Sequence, residues 1–529
     1  MNVLFVYFDF MIGAGGKYYE GLASISAVLK QRGHKTRLMH ITRRIDCAEF
    51  LRKYELEYAD AGVVAFSATS HVFPYVAEFA GELKQRHPQL RTICGGAHPT
   101  LFPERAVLED GLDAICVGEG EYPMAEYCDA LAAGADPTGI RNLWFNQDGE
   151  IIRNPVRPLI ENLDELPTPD RELFDYGSSM DKRMNRVAFM GSRGCPYDCT
   201  HCCNHALKAA AKNPAKYVRF KSVERLIGEI EACLRANPVA EHVDFHDDIL
   251  NLKPRWFEEF VAQYKRRIGR PYICCSRFEL LKDASLALFK ESGCRQLSVG
   301  LESGDEYVRT EVLNRRQSES MILQAGALCR QYGINLYVFT MVGIPGETLV
   351  RALRTVKLAA ALKPASIQVS IFYPYVSTRL HELCKQNGWL AAKRVDSYFE
   401  AASTLNFPDF PPRQIVFAYE HLRPFAQAYM FIAAWKTTPL GRVIGPFAER
   451  GMDFLWRCPA LYSLIEKGWL ALRRQYRRHL KWRFQKRPAT RSLPLAEVGN
   501  VMLDASCLAQ HGSRRSETEH SDHERPVGV

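Results

Sequence analysis

Two stretches in which strand-like and helix-like segments alternate restrict the folds open to this chain of 529 residues. Within residues 1–150, helical patterns at Gly21–Arg32, Val72–Arg86 and Pro103–Glu109 separate apolar strand candidates. The strand candidates are Val3–Phe8, Lys35–Met39, Gly62–Ser67, Arg91–Cys94 and Ala114–Val117. This alternation is typical of βαβ units and predicts an α/β domain with a parallel sheet. Ligands of such sheets lie at the carboxyl ends of the strands, where this chain places glycine, serine and acidic residues.

A proline-rich segment predicts a linker over residues 151–184, and a second alternating pattern follows over residues 185–395. Its strand candidates predict a partial (β/α)6 barrel: Val187–Met190, His242–Phe245, Tyr272–Cys275, Gln296–Gly300, Asn335–Met341 and Ser366–Phe372. The alternation then stops, and residues 396–490 are predicted to be mostly helical. Residues 491–529 are polar and rich in Ser, His, Arg and Glu, which predicts a disordered tail.

The cysteine pattern indicates the compartment in which the chain works. Its 16 cysteines are scattered, with adjacent pairs at Cys202–Cys203 and Cys274–Cys275. A reduced, cytoplasmic protein with a thiolate metal site fits this pattern better than a secreted one.

The N-terminal run MNVLFVYFDF has no basic region before it and indicates a strand, not a signal peptide. The sequence contains no run of about 18 uncharged apolar residues, so no transmembrane helix is predicted.

The positive charge is concentrated near the C-terminus. The formal net charge is +9, and residues 466–491 hold ten Lys or Arg and one acidic residue, which accounts for the whole excess. The remainder is close to neutral, which argues against a broad nucleic-acid-binding surface. Apolar residues recur here at helical spacing: Ile465, Trp469, Leu472, Tyr476, Leu480 and Phe484. Residues 465–491 are therefore either a peripheral membrane contact or a helix docked on the barrel with a solvated cationic face.

The string GCPYDCTHC, from Gly194 to Cys202, is the strongest chemical motif. Cys195, Cys199 and Cys202 have the spacing C-x3-C-x2-C, in which each thiolate can hold one iron of a [4Fe–4S] cluster and leave the fourth iron open. The alternative is a structural zinc site. Zinc takes four ligands, and Cys203 or His205 could supply the fourth.

The spacing resembles that of the radical S-adenosylmethionine (SAM) superfamily, in which the open iron binds SAM. Later strings support the resemblance: FHDDI at Phe245–Ile249, SVGLESG at Ser298–Gly304 and VGIPGET at Val342–Thr348. The resemblance implies that reduction of the cluster cleaves SAM to a 5′-deoxyadenosyl radical, with the electron coming from an external reductant of flavodoxin or ferredoxin type. It also implies these SAM contacts: His201, Asp247, Asp248, Glu302 and Gly343.

The chain also resembles the radical SAM enzymes that carry an N-terminal cobalamin-binding domain. The matching strings include FSATS at Phe66–Ser70, GGAHPTLFPE at Gly95–Glu104 and VGEGEYPMAEY at Val117–Tyr127. The resemblance implies a Rossmann-like (flavodoxin-like) domain over residues 1–150. It implies these cobalamin contacts: Ser67, Thr69, Gly95, Gly96, His98, Gly118, Glu119 and Gly120. The Asp-x-His-x-x-Gly signature, whose histidine binds cobalt in other such domains, is absent.

The resemblance implies cobalamin-dependent methyl transfer to an unactivated carbon. Two alternatives stay open: a non-methylating cyclase or rearrangement enzyme of the same architecture, and an iron–sulfur redox or sensing protein. The expected substrate is a small or lipid-like molecule, in a cytoplasmic protein with or without membrane contact. Arg277, after the third barrel strand, is expected to pair with Asp247 or Asp248, or else to hold an anionic substrate group.

Overall fold

The computed structural model describes residues 1–9, 16–391 and 401–467. Its first sheet confirms the N-terminal alternation. The strands are β1 Asn2–Phe8, β2 Lys35–Ile41, β3 Val63–Ser67, β4 Arg91–Gly95, β5 Ala114–Cys116, β6 Leu143–Gln147 and β7 Glu150–Arg153. The helices between them are α1 Glu20–Gln31, α2 Cys47–Lys53, α3 Glu55–Tyr58, α4 Phe73–Arg86, α5 Ala97–Leu101, α6 Pro103–Ala106 and α7 Glu121–Ala132.

The strand order is β2-β1-β3-β4-β5-β6-β7, parallel through β5 and antiparallel from β5 to β7. Apolar clusters cover both faces, as a parallel sheet requires. The β6–β7 hairpin was not predicted, and it carries the sheet to Arg153, past the expected boundary at residue 150. Its turn contains Asp148 and Gly149, both with positive φ (52° and 92°), which is the backbone that an Asp-Gly hairpin turn needs.

The second sheet is the predicted partial barrel, with six parallel strands in the order β15-β14-β13-β12-β11-β8. These strands are β8 Arg186–Phe189, β11 His242–Phe245, β12 Tyr272–Ser276, β13 Cys294–Glu302, β14 Asn335–Val342 and β15 Ser366–Ile371. A small antiparallel pair, β9 Ser192–Arg193 and β10 Arg219–Phe220, lies beside it. The helices are α8 Met180–Arg183, α9 Cys203–Ala210, α10 Val223–Ala236, α11 Pro254–Arg267, α12 Asp283–Glu291, α13 Glu319–Gln331, α14 Leu349–Ala361 and α15 Arg379–Gln386.

Burial alternates along β12, β14 and β15, and along β13 from Gln296 onward. One face packs against the helices in a continuous apolar core. The opposite face is half-buried and uncharged in the central strands: Cys275, Ser298, Tyr337, Phe339, Met341, Gln368 and Ser370. Because side chains alternate across a strand, this second face lines the lumen of the barrel.

Two long helices follow the barrel, α16 Pro412–Trp435 and α17 Pro439–Arg457, as predicted for this region. The predicted basic helix, apart from residues 465–467, and the predicted tail lie outside the described residues. In the described part of the chain, none of the helices is both long enough and apolar enough to span a membrane.

Candidate functional site

The three motif cysteines lie on one loop between β9 and α9, at the carboxyl end of the first barrel strand. Cys199 is buried, whereas Cys195 and Cys202 are partly exposed. The loop begins at Gly194, whose φ is +86°, and a Cβ there would come within 2.4 Å of the Tyr217 carbonyl oxygen. Only glycine fits this close approach, which explains the residue before the first cysteine.

Side-chain donors surround two of the thiols. Arg277 Nη1 lies 3.4 Å from Cys199 Sγ, and Arg315 Nη1 lies 3.6 Å from the same atom. Asn204 Nδ2 is 3.8 Å from Cys202 Sγ. Donors of this kind beside the sulfur atoms are typical of cysteines that hold an iron–sulfur cluster. The expected pairing of Arg277 with Asp247 or Asp248 is wrong: Arg277 Nε donates to Glu279, 2.7 Å away and two residues on, so the local carboxylate takes its place.

The donor geometry bears on the zinc alternative. Among residues 1–9, 16–391 and 401–467, no three His, Cys, Asp or Glu side chains converge closely enough to hold a single metal ion. His205 is buried, and its Nδ1 lies 3.0 Å from the Cys199 carbonyl oxygen, so the ring is committed to the loop backbone. In a cluster each thiolate binds a different iron, so the three thiolates need not converge on one ion. The triad therefore fits a cluster better than zinc.

The two aspartates after β11 have different surroundings. Asp247 is buried and accepts hydrogen bonds from the Gly191 backbone N–H (3.0 Å) and from the Ser192 hydroxyl, and burial raises its pKa to about 6. Asp248 is exposed and accepts from Asn204 Nδ2 (3.1 Å), the same amide that reaches Cys202. Asp248 therefore lies beside the cysteine loop, while Asp247 fixes the end of the neighbouring strand.

Glu302 and His201 also lie near this loop. Glu302 has a φ of +60°, and burial raises the pKa of its carboxyl against the opposing effect of Arg315, 3.9 Å away. Backbone strain in a non-glycine residue at a strand end is typical of functional positions. The Nδ1 of His201 is buried with no hydrogen-bond partner in the described structure, and burial lowers its pKa to about 3. An unsatisfied buried nitrogen fits a ring that faces a ligand.

Gly343 is held by a residue that the sequence analysis did not single out. Glu347 Oε2 accepts from the Gly343 backbone N–H (2.7 Å) and from that of Ile344 (3.3 Å). Its other oxygen, Oε1, is buried without a partner. Glu347 lies within the quoted VGIPGET string, so the signal was present. It acts through the backbone turn at Gly343, whose φ is +78°.

Burial raises the pKa of Glu347 to about 8, so its carboxyl is largely protonated at neutral pH. The folded state then keeps a proton that the unfolded state releases at lower pH, and the free energy of unfolding falls as pH rises toward 8. Glu347→Gln removes this dependence. We expect the wild type to lose about 2 kcal/mol relative to the variant between about pH 6 and about pH 8. Urea unfolding of both proteins at the two pH values measures this, and parallel curves would contradict the raised pKa.

A cavity of about 280 Å³ lies between the first domain and the cysteine loop. Gly96, Gly118 and Glu119 line it from the carboxyl ends of β4 and β5, and Gly194 lines it from the cysteine loop. A Cβ on Gly118 would lie 3.1 Å from Asn142 Nδ2. Gly96 and Gly118 bring backbone without side chains to the cavity wall, which fits the predicted nucleotide-tail and corrin slot.

The other predicted cobalamin contacts lie around this cavity without lining it. Ser67 and Gly95 end β3 and β4, Gly120 precedes α7, and Thr69 is exposed on the loop after β3. His98 is buried: its ring stacks on Phe73 with centroids 4.1 Å apart, and Nδ1 lies 3.2 Å from Ser70 Oγ. Burial lowers the pKa of His98 to about 4.

Ion pairs join the first domain to the barrel beside this cavity. Arg193 reaches Glu121 (2.6 Å) and Glu119 (2.8 Å), and Arg219 also reaches Glu119 (2.9 Å). A few residues away, Lys221 pairs with Glu20 at 2.8 Å. We call the contacts of Arg193, Arg219 and Lys221 with these glutamates the ionic junction. The ionic junction could not be predicted from the sequence, because each pair joins residues at least 72 positions apart.

Charged side chains face the lumen at β8 and β11, where Arg186 and Asp244 form an ion pair. Asp244 lies 2.5 Å from Arg186 Nη1 and 3.3 Å from His246 Nε2. Burial opposes ionisation of Asp244, but His246 and Arg186 outweigh it and hold its pKa below the usual range. His246 is exposed at the strand end. An imidazole oriented by a carboxylate is thus available to whatever enters the lumen.

Two family models match the chain: "B12 binding domain" over residues 19–127 and "Radical SAM superfamily" over residues 190–359. An uncharacterized methyltransferase of Pyrococcus horikoshii is 27% identical over 376 residues, which are 70% of this chain and 78% of that protein. The anaerobic magnesium-protoporphyrin IX monomethyl ester cyclase of Rubrivivax gelatinosus is 25% identical, covering 71% of this chain and 68% of its own.

Among solved structures, the chain is similar to a radical S-adenosylmethionine methyltransferase, TsrM, from Kitasatospora setae, determined with cobalamin and a [4Fe–4S] cluster bound. The TM-score is 0.59 at 18% identity, over 74% of this chain and 76% of that one. At this identity the similarity shows the shared fold, a Rossmann-like domain followed by the half-barrel.

Proposed function

The chain belongs to the radical SAM superfamily, in the group with an N-terminal B12 binding domain, and from this premise we propose that it transfers a methyl group to an unactivated carbon. One observation carries the proposal. The glycine-lined cavity of the first domain opens directly against Gly194, the first residue of the cysteine loop. The predicted cobalamin and SAM sites therefore adjoin, as a reaction that uses both on one substrate requires.

When bound, the cluster with SAM supplies a carbon-centred radical, and cobalamin supplies the methyl group. Cys195, Cys199 and Cys202 would hold the cluster, with Arg277 and Arg315 donating toward Cys199. For SAM we propose the same contacts that the sequence predicts. Asn204 positions one of them, Asp248, and Glu347 positions another, Gly343. Asp247 supports the site by fixing Gly191 and Ser192.

The substrate would enter the barrel lumen. Its central face carries hydroxyl, amide, thiol and aromatic groups and no formal charge, and Tyr337 Oη lies 3.2 Å from Gln368 Oε1. Such a surface suits an uncharged small or lipid-like molecule that offers hydroxyl or carbonyl groups. The charged cofactor contacts lie at the strand ends instead.

The test is anaerobic reconstitution with SAM carrying a deuterated methyl group, a reductant and an extract of cellular small molecules and lipids. We expect 5′-deoxyadenosine, S-adenosylhomocysteine and a product that carries the label. Formation of 5′-deoxyadenosine with no label in any product would exclude methyl transfer. It would favour the second candidate, a non-methylating cyclisation, which the similarity to the Rubrivivax gelatinosus cyclase supports.

We further propose a one-electron reductant of flavodoxin or ferredoxin type and a cytoplasmic location. The partial exposure of Cys195 and Cys202 gives an electron donor a short route to the cysteine loop. All cysteines in the described part of the chain are free thiols, as in a reducing compartment.

Gly96→Ala tests the cobalamin proposal. Gly96 has a φ of +100°, and a Cβ there would lie 2.8 Å from the Ala68 carbonyl oxygen. The loop must shift, so we expect cobalamin to bind about ten-fold more weakly or worse, since strain of this kind costs roughly 1–3 kcal/mol. Titration with hydroxocobalamin measures this. Gly139→Ala, where a Cβ meets nothing within 4 Å, is the control. Unchanged affinity in Gly96→Ala, with full cluster content, would refute the placement.

A further inference from the structure

The helix α17 is fixed firmly on its inner side. Trp456 is fully buried, and its Nε1 donates to the Leu349 carbonyl oxygen of α14 at 2.7 Å. Asp453 accepts from Tyr429 of α16 (2.5 Å) and from Lys357 of α14 (2.7 Å). Gly441 allows a close approach, because a Cβ there would lie 2.0 Å from the Trp435 carbonyl oxygen. The helix therefore presents a defined outer side.

That outer side is apolar. Large apolar side chains are exposed along α17 and the ten residues after it, with steps of three, four or seven residues between those on the same face. We call this series the outer stripe: Leu440 (61% exposed), Val443 (66%), Ile444 (40%), Phe447 (67%), Phe454 (57%), Leu461 (38%), Leu464 (69%) and Ile465 (49%). Phe431, near the end of α16, is 71% exposed.

A helix that packs on one side of a domain normally has a polar outer face. Here both faces of α17 are apolar, so packing against α14 and α16 does not account for its outer face. Contiguous exposed apolar patches mark interaction sites in soluble proteins. The outer stripe is not used by the cysteine loop, the cavity or the lumen, so it indicates a separate binding surface.

The charge around the outer stripe indicates the partner. Arg442, Arg450, Arg457 and Lys467 are exposed along it. The sequence then continues into residues 466–491, with ten basic residues and one acidic residue. An apolar helix face bordered by Lys and Arg is the pattern that binds the interface of anionic membranes.

We propose that the outer stripe docks on an anionic lipid bilayer, with its apolar side chains at the acyl boundary and its basic side chains among the headgroups. A second copy of this chain is a poorer partner. A symmetric dimer through the same patch would bring Arg442, Arg450 and Arg457 against their own copies, at an electrostatic cost. The proposal stands apart from the proposed methyl transfer, since it involves none of the cofactor contacts.

The experiment is co-sedimentation of the full-length protein with vesicles of phosphatidylcholine, with or without roughly one third phosphatidylglycerol. We expect binding to the anionic vesicles that weakens with salt, and little binding to phosphatidylcholine alone. The variant Phe447→Asp/Phe454→Asp should bind about ten-fold more weakly or worse, because two exposed rings no longer enter the interface. The control is Leu56→Asp, at a 92% exposed leucine of the first domain.

Melting temperature and iron content should match the wild type in both variants, because these side chains already face solvent. Wild-type protein that stays in the supernatant with anionic vesicles overturns the proposal. Equal vesicle binding by the double variant also overturns it. A dimer on size-exclusion chromatography that the double variant dissolves would assign the outer stripe to a second copy and overturn it as well.

Discussion

Cys199→Ala will remove the iron–sulfur cluster and with it all formation of 5′-deoxyadenosine. Each motif thiolate would hold one iron, so the variant would keep a two-point attachment that cannot retain a cubane. Cys199 is also the thiol that Arg277 and Arg315 approach, at 3.4 and 3.6 Å, so its loss removes one acceptor from each of two buried guanidinium groups. Anaerobic reconstitution followed by iron and sulfide analysis, visible absorbance and SAM cleavage measures the effect, with roughly four irons per chain expected in the wild type.

The matched control is Cys203→Ala, which removes the adjacent thiol. Cys203 begins α9 and is out of register with the triad, so we expect it to keep iron and SAM cleavage near the wild-type level. A four-ligand metal site would instead lose its metal in Cys203→Ala or His205→Ala as fully as in Cys199→Ala. Iron retained in Cys199→Ala would refute the assignment of the triad.

Arg193→Met will destabilise the protein by about 3 kcal/mol, because it removes the charged partner of a buried carboxylate in the ionic junction, Glu121. Glu121 is 3% exposed and would lose its charged partner at 2.6 Å, keeping only the Ser24 hydroxyl at 2.8 Å. Burial opposes ionisation of Glu121, and Arg193 is what holds its pKa below the usual range. Urea unfolding at neutral pH measures the loss. Since Arg193 also lines the cavity, cobalamin affinity should fall with it.

The double variant Arg193→Met/Glu121→Gln separates charge from packing. Removing both charges eliminates the unpaired buried carboxylate, so we expect it to recover a large part of the stability lost in Arg193→Met. A double variant as unstable as Arg193→Met would mean that the arginine acts through packing and not through its charge.

The sequence predicted the fold well wherever a single periodicity extended over a whole element. The barrel strand His242–Phe245 has the predicted bounds, and the other five barrel strands were each placed within two residues. Some of the missed elements are short or set by turns, such as α2 and the β6–β7 hairpin around Asp148 and Gly149. The 12-residue helix α7 was missed as well, although the quoted string VGEGEYPMAEY covers its first half. The predicted helix Pro103–Glu109 ends at Ala106, because the chain turns toward β5.

The candidate site was predicted in part. Spacing in the chain places the cysteines on one loop, since that is a local property. It does not show that Arg315 approaches Cys199, because 116 residues separate them. The predicted partner of Arg277 was wrong because the motif aspartates were preferred to Glu279, a carboxylate only two residues away. For cobalamin, the strand ends were predicted, but not which of their residues line the cavity.

The ionic junction also has a kinetic consequence. It joins the first domain to the barrel region through three side chains: Arg193 on β9, Arg219 on β10 and Lys221 directly after β10. We therefore expect the two cofactor sites to keep a constant separation through each catalytic cycle. If SAM serves both as radical source and as methyl donor, each turnover uses two SAM molecules. Each product of SAM must leave, and new SAM must enter, while the separation of the two domains stays constant. Product inhibition by 5′-deoxyadenosine and S-adenosylhomocysteine would then be mutually exclusive.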